Sequence, residues 1–72
     1  MERYIWIRSK TKPFTYYTHE TDRLMVYQRF PEGSRWPYYE VHCDKTYRGR
    51  TSHLGEAKEL AEQCLMKQEE TG

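Results

Sequence analysis

The sequence predicts an α+β domain, in which an antiparallel sheet of three to five strands carries one C-terminal α-helix packed on one face. The chain has 72 residues, which is room for a single small domain spanning 1–72. Short runs of β-branched and aromatic residues alternate with turn residues over its first two thirds, as in a sheet. Apolar residues then recur at helical spacing, and a helix and a sheet bury each other's apolar sides.

The composition is typical of a folded domain without a disulfide framework. Hydrophobic residues make up 36% and aromatic residues 15%, which is too aromatic for a typical disordered chain. The two Cys residues form no CxxC pair, which indicates a reducing, intracellular setting. Neither a run of about 20 apolar residues nor a secretion signal is visible, so we expect a cytoplasmic protein without a membrane partner.

The first candidate strand covers residues 3–8, where β-branched and aromatic side chains favour extended backbone. Successive side chains of a strand point to opposite faces of the sheet, so the two isoleucines share one face and the larger rings the other. We expect Ile5 and Ile7 in the core. The outer face would then carry Tyr4, Trp6 and Arg8.

Two further strand candidates precede the proline-rich loop. Residues 14–19 can extend, and the pattern leaves their facing open. Residues 24–30 alternate, with Leu24 and Val26 on the buried face; a helix capped at the preceding turn is the alternative, but β-branched and aromatic residues favour the strand. The outer face of this strand would carry Met25, Tyr27 and Arg29.

A hairpin is predicted from the strands 38–43 and 47–51, joined by a tight reversal at 44–45 that lacks the favoured glycine. Val41 and Tyr47 are expected to point into the core. The outer face would carry Tyr38, Glu40 and His42, with Arg48 and Arg50 opposite them.

The last element is a helix with Ser52 as its candidate N-cap. Its apolar side consists of Leu54, Ala57, Leu60, Ala61, Cys64 and Leu65. Residues 69–72 are expected to fray, because Glu69 and Glu70 oppose the helix dipole. The predicted core comprises Ile5, Ile7, Leu24, Val26, Val41, Leu54, Leu60 and Leu65. An acidic face is predicted at Glu56, Glu59 and Glu62.

One helix covers one side of a sheet, so the opposite side is the candidate contact surface. That surface would combine the outer residues named above: Tyr4, Trp6, Arg8, Met25, Tyr27, Arg29, Tyr38, His42, Arg48 and Arg50. Rings interleaved with Arg can stack unpaired bases, sit against duplex DNA, or anchor a protein partner. Cross-strand packing without a binding role is the alternative.

Catalytic and metal sites are not expected. The His and Cys residues lack the short spacing of zinc ligands, and adjacent His42 and Cys43 would point to opposite faces of a strand. The four Gly residues are scattered, so no phosphate-binding loop is visible. We therefore expect a protein without cofactor, metal or enzymatic activity. A catalytic Cys–His protein with Cys43 as its nucleophile is the third possibility. The run 36–39 (WPYY) can form one wall of a cation cage, although Trp36 covering the core edge is the favoured interpretation.

Charge is unevenly distributed along the chain. Residues 1–53 carry ten Lys or Arg and six Asp or Glu, a net charge of +4, whereas residues 54–72 carry two Lys and five Glu, a net charge of −3. Such asymmetry can orient a complex. An acidic helix can also imitate phosphates in a basic groove, although an ordinary solvated helix face is the favoured interpretation.

Part of the chain resembles the arm-binding sheet-plus-helix domains of phage and transposon tyrosine integrases. The resemblance rests on residues 39–41 (YEV), 47–50 (YRGR) and 56–58 (EAK). It implies a sheet that enters the DNA major groove, with Arg48 and Arg50 touching DNA beside Tyr38.

In size and aromatic surface the chain is also similar to small phage accessory proteins that inhibit host defence, including anti-CRISPR proteins. This resemblance implies a non-enzymatic protein that binds and sterically blocks a host nucleic-acid-handling protein or ribonucleoprotein in the host cytoplasm. A small DNA- or RNA-binding module using Arg8, Arg29, Arg48 and Arg50 is the alternative. Homodimerisation remains open.

Overall fold

The chain folds as a meander of five antiparallel strands followed by one helix, which confirms the predicted α+β fold class. The computed structural model describes residues 4–71, with side chains as far as residue 67. The strands lie in the sheet in chain order. They are β1 (Trp6–Arg8), β2 (Thr15–Thr18), β3 (Leu24–Arg29), β4 (Tyr38–Cys43) and β5 (Thr46–Thr51), followed by the helix α1 (Leu54–Thr71).

The central strands set the two faces of the sheet. On β3, Leu24 and Val26 are fully buried and pair with Cys43 and Val41 of β4. These four side chains lie beneath α1, where Ala57, Ala61 and Leu65 repeat at four-residue spacing and are also buried. Because α1 packs against β3, β4 and β5, the opposite face of these strands is free of it. The core cluster is Tyr16, Leu24, Val26, Val41, Cys43, Ala57, Ala61 and Leu65.

The facing predicted for β1 is wrong. Trp6 pairs with Thr18 of β2. Tyr16 lies two residues before Thr18, on the same face of β2, and pairs with Val26 in the core. Trp6 therefore lies on the helix side of the sheet. Its indole Nε1–H donates to Glu62 Oε2 at 2.8 Å. A tryptophan ring buries more apolar surface than an isoleucine side chain, and its N–H needs an acceptor. The helix α1 provides both the surface that covers the ring and the acceptor.

Several predicted positions change face with β1. Tyr4 packs with Trp6 against the core, and Arg8 pairs with Tyr16 on the same side. Ile5 is 63% exposed, and Ile7 pairs with Tyr17 on the face away from the helix. Neither isoleucine therefore belongs to the core. The remaining predicted core side chains lie in or against it: Leu24, Val26, Val41, Leu54, Leu60 and Leu65.

The β4–β5 hairpin turns at Asp44 and Lys45, both with positive φ (54° and 65°), as a two-residue turn of the primed type requires. Asp44 also accepts from Arg23 Nη2 at 2.9 Å, and the Arg23 hydrogen bond lowers the pKa of its carboxyl. A two-residue turn places Tyr47 opposite His42. Tyr47 therefore shares the outward face of His42, and its predicted inward orientation is wrong.

A bulge in β5 decides which side chain lies beneath the helix. His42 pairs with Tyr47 but Val41 pairs with Gly49, which leaves Arg48 as the extra residue. Regular pairing would have set Arg48 opposite Val41, under α1. With the bulge, a glycine takes that place, and a Cβ on it would lie 3.7 Å from Leu60 Cδ2.

The first turn of α1 is also better defined than the sequence indicates. The carbonyl of His53 accepts from Ala57 N–H at 3.1 Å and from the Thr51 hydroxyl at 2.7 Å. The helix therefore begins after His53, which occupies the N-cap position, and the predicted N-cap at Ser52 is wrong by one residue. Fraying of residues 69–72 stays a prediction; the backbone of α1 is described as far as Thr71, and Gly72 lies outside the described residues.

Candidate interaction surface

The face of the sheet opposite α1 is the candidate functional site, and we call it the open face. Side chains alternate between the two faces along β3 and β4. The pairing of β1, β2 and β5 with their neighbours then assigns the side chains of those strands to the same two faces. It comprises Ile7, Thr15, Tyr17, Met25, Tyr27, Arg29, Tyr38, Glu40, His42, Tyr47 and Arg50.

An apolar row crosses the open face perpendicular to the strands. Its members are paired neighbour to neighbour, one from each of the five strands. Tyr47, at one end of the row, is 52% exposed, and Tyr17, next to the other end, is 37% exposed. Side chains paired across strands pack against one another, so the row forms a continuous ridge. It consists of Ile7, Tyr17, Met25, His42 and Tyr47.

His42 sits among aromatic rings near the β5 end of this row. Its ring meets Tyr27 edge to face at 4.9 Å between centroids, and Tyr47 at 5.7 Å. The His42 Nε2 atom is buried without a hydrogen-bond partner and lies 3.6 Å from a Glu40 carboxylate oxygen. These contacts hold His42, Tyr27 and Tyr47 in one fixed cluster.

The charges beside the row are largely balanced within the open face. Arg29 Nε donates to Glu40 Oε1 at 3.0 Å, and its guanidinium lies 5.2 Å from the Tyr27 ring centre. The Arg50 guanidinium lies 5.2 Å from the Tyr38 ring centre. With Arg29 paired to Glu40, Arg50 supplies the remaining formal positive charge among the described residues of the open face.

The sequence-predicted contact residues divide into three groups. Tyr27, Arg29, Tyr38 and Arg50 lie together on the open face, as expected. Arg48 is exposed at the bulge and faces none of them directly. The members on the helix side are Tyr4, Trp6 and Arg8.

Sequence reasoning missed four members of the open face, namely Ile7, Thr15, Tyr17 and Tyr47. The two-residue turn at 44–45 contains the signal for Tyr47, because that geometry sets it opposite His42. For Ile7 and Tyr17 no such local signal exists, since their facing follows from which side of β1 meets the helix.

The predicted acidic face of α1 is only partly present. Glu56 and Glu59 are exposed, whereas Glu62 is half-buried and accepts from Trp6. Lys58 Nζ lies 6.0 Å from the Trp6 ring centre and 5.9 Å from that of Tyr16. Lys58 and Glu62 thus help to attach β1 and β2 to the helix.

The cysteines and histidines do not converge. Cys43 is fully buried beneath α1, while adjacent His42 lies on the open face. Burial raises the pKa of the Cys43 thiol, and the neighbouring Asp44 and Cys64 raise it further. Among the described residues, no group of three or more His, Cys, Asp or Glu side chains could hold a metal ion.

Comparison with known proteins found no matching family model, no similar curated protein and no similar solved structure. Within the described part of the chain, no helix has the length and apolar character needed to span a membrane. Function is therefore inferred from the geometry of this chain alone.

Proposed function

We propose that this chain is a non-enzymatic interaction protein that binds a protein partner through the open face and inhibits that partner sterically. The observation that carries the proposal is the apolar row across all five strands, bordered by charges balanced within the face. Tyr, Met and Arg are enriched in protein interfaces, where aromatic anchors contribute most of the binding free energy.

The balance of charge favours a protein over a nucleic acid as the partner. Nucleic-acid binders neutralise several phosphates with Lys and Arg. On the open face Arg29 already pairs with Glu40, and Arg50 is the formal cation that remains. Arg8 lies on the other side of the sheet, which further weakens the alternative of a DNA- or RNA-binding module.

A catalytic role for the thiol has little support. A Cys–His nucleophile needs its base within hydrogen-bond reach. Here the strand directs Cys43 and His42 to opposite faces, and the raised pKa of Cys43 disfavours its thiolate.

For the partner, we propose the protein component of a host ribonucleoprotein that handles nucleic acid, in the manner of an anti-CRISPR protein acting in the host cytoplasm. The small size and aromatic surface support this choice. An exposed ridge on a fixed sheet can occupy a partner's surface without a large rearrangement of its own. Binding near a nucleic-acid channel would then exclude the substrate.

The direct test is inhibition of guide-loaded CRISPR effector ribonucleoproteins, measured as cleavage or binding of target DNA with increasing amounts of this chain. We expect inhibition that saturates near one chain per complex for at least one effector of the panel. The double substitution Tyr17→Ala and Tyr47→Ala should weaken inhibition about tenfold or more, because it removes two exposed anchors of the apolar row.

Phe30→Ala is the matched control, since Phe30 is an exposed aromatic residue outside the open face. Equal inhibition by the double variant and the control would contradict the proposed surface, and failure to inhibit any effector would contradict the proposed partner. Steeply salt-dependent binding of bare oligonucleotides would favour the nucleic-acid module. If the free chain forms a dimer and the Tyr17 and Tyr47 substitutions dissociate it, the open face binds a second copy of this chain.

A further inference from the structure

A groove lies at one end of the sheet, between the 30–37 loop and the corner where β5 leads into α1. Its larger lobe has a volume of about 710 Å³ and is lined in part by Trp36, Pro37, Tyr39 and His53. A second lobe of about 430 Å³ is lined in part by Arg50. The two lobes share Pro31, Tyr38 and Ser52 as lining residues.

Trp36 forms an exposed wall of this groove. Its side chain is 78% exposed, so it does not cover the core edge as the sequence suggested. Local hydrogen bonds fix the loop around it: Trp36 N–H donates to Ser34 Oγ at 3.2 Å, and Ser34 N–H donates to the Pro31 carbonyl at 3.1 Å. The backbone that carries Trp36 is therefore held in place without a ligand, which lowers the entropic cost of binding.

The two lobes differ in chemistry. The rings of Trp36, Tyr38 and Pro37 line the larger lobe, which is therefore suited to an apolar ligand that packs against rings. The smaller lobe contains the Arg50 guanidinium, held 5.2 Å from the Tyr38 ring centre, beside the hydroxyl side chains of Thr51 and Ser52. Among the residues that the structure describes, no carboxylate lines either lobe. A cation cage is thus disfavoured, and the second lobe is suited to a carboxylate.

We propose that this groove binds an extended, proline-rich peptide segment that carries an acidic residue. Polyproline II segments dock in grooves lined by aromatic residues, since their conformation is already fixed before binding. Proline rings would pack against Trp36 and Tyr38, and the acidic side chain would pair with Arg50. Single-stranded nucleic acid also stacks on aromatic rings, but it tracks a positively charged groove, and here Arg50 is the lone Lys or Arg side chain among the lining residues.

The groove and the open face share Tyr38 and Arg50, but each has an anchor that the other lacks. Trp36 lies outside the open face, and Tyr47 does not line the groove. Trp36→Ala therefore tests peptide binding separately, and the Tyr17 and Tyr47 substitutions test effector inhibition separately.

The test is fluorescence-polarisation titration of the full chain against a labelled peptide of proline and leucine with two aspartates at each end. Acidic residues at both ends allow for either binding direction. We expect saturable binding that weakens at least tenfold in Trp36→Ala, with circular dichroism unchanged. Replacing the aspartates by asparagines should weaken binding severalfold, and Arg50→Gln should make the two peptides bind alike.

Phe30→Ala serves as the matched control, because Phe30 is an exposed aromatic residue of the same loop but does not line the groove. It should bind the peptide as the unmodified chain does. The proposal is overturned by an absence of saturable binding, by equal loss in Phe30→Ala and Trp36→Ala, or by an asparagine peptide that binds as well as the aspartate peptide. Tighter, Trp36-dependent binding of oligothymidine would overturn it in favour of single-stranded nucleic acid.

Discussion

At the scale of single residues, Gly49 provides the backbone conformation at the bulge in β5. Its φ of 140° lies in a region that residues with a side chain rarely adopt, and its Cα faces Leu60 of the helix. The bulge needs this conformation to carry Arg48 out of register. Because of the bulge, Gly49 and not Arg48 lies opposite Val41. Arg50 then lies opposite Glu40 on the open face.

Gly49→Ala is expected to destabilise the fold by about 1–3 kcal/mol, mainly through backbone strain at positive φ. The measurement is the free energy of unfolding from urea titration. Gly55→Ala is the matched control, since Gly55 lies in the first turn of α1 with open space around it. An alanine there should stabilise the helix by about 0.5–1 kcal/mol. Equal effects of the two substitutions would contradict the role assigned to Gly49.

At the scale of elements, the long periodic segments were predictable and the short ones were not. The helix has six apolar positions at helical spacing, and β3 and β4 each alternate over six residues, so their buried faces could be assigned. β1 has three residues, and either face of it offers apolar side chains. Its orientation depends on an acceptor 56 positions away, Glu62, which no local pattern reveals.

The same limit explains which parts of the candidate surface could be predicted. Tyr27, Arg29, Tyr38 and Arg50 lie on strands whose facing follows from β3 and β4. Ile7 and Tyr17 depend on β1 and β2, whose facing is decided by long-range contacts with α1. A one-residue change of register moves every side chain of a strand to the opposite face of the sheet. An error in the facing of β1 therefore replaces all of its predicted contact residues with those of its other face.

The Trp6–Glu62 hydrogen bond should be measurable as a coupling between β1 and α1. We expect a double-mutant cycle with Trp6→Phe and Glu62→Gln to give a coupling free energy of about 1 kcal/mol, because glutamine keeps an oxygen acceptor but loses the charge that strengthens the hydrogen bond. Glu59→Gln provides the matched control because Glu59 is exposed on the same helix. Its effect should add to that of Trp6→Phe. Coupling of equal size for Glu59 and Glu62 would contradict the contact.

At the scale of the whole molecule, the helix covers the sheet unevenly. The backbone of α1 packs against β3, β4 and β5, whereas side chains such as Trp6, Tyr16 and Lys58 make its contacts with β1 and β2. Within the described part of the chain, β1 is also an edge strand that pairs only with β2. Local opening is easiest where few buried contacts are lost, so the β1–β2 end is expected to open before the centre.

Native-state hydrogen exchange should therefore resolve two levels of protection. We expect the hydrogen-bonded amides of β3 and β4 to exchange at least about tenfold more slowly than those of β1, a difference of about 1.4 kcal/mol in opening free energy. Glu62→Gln should accelerate exchange in β1 and leave the relative protection of β3 and β4 unchanged, because it weakens the bond between Trp6 and the helix. Uniform protection of all five strands, or acceleration spread evenly over them, would contradict this hierarchy. Because the apolar row ends at Ile7 on β1, the same opening would also remove one end of the proposed contact surface.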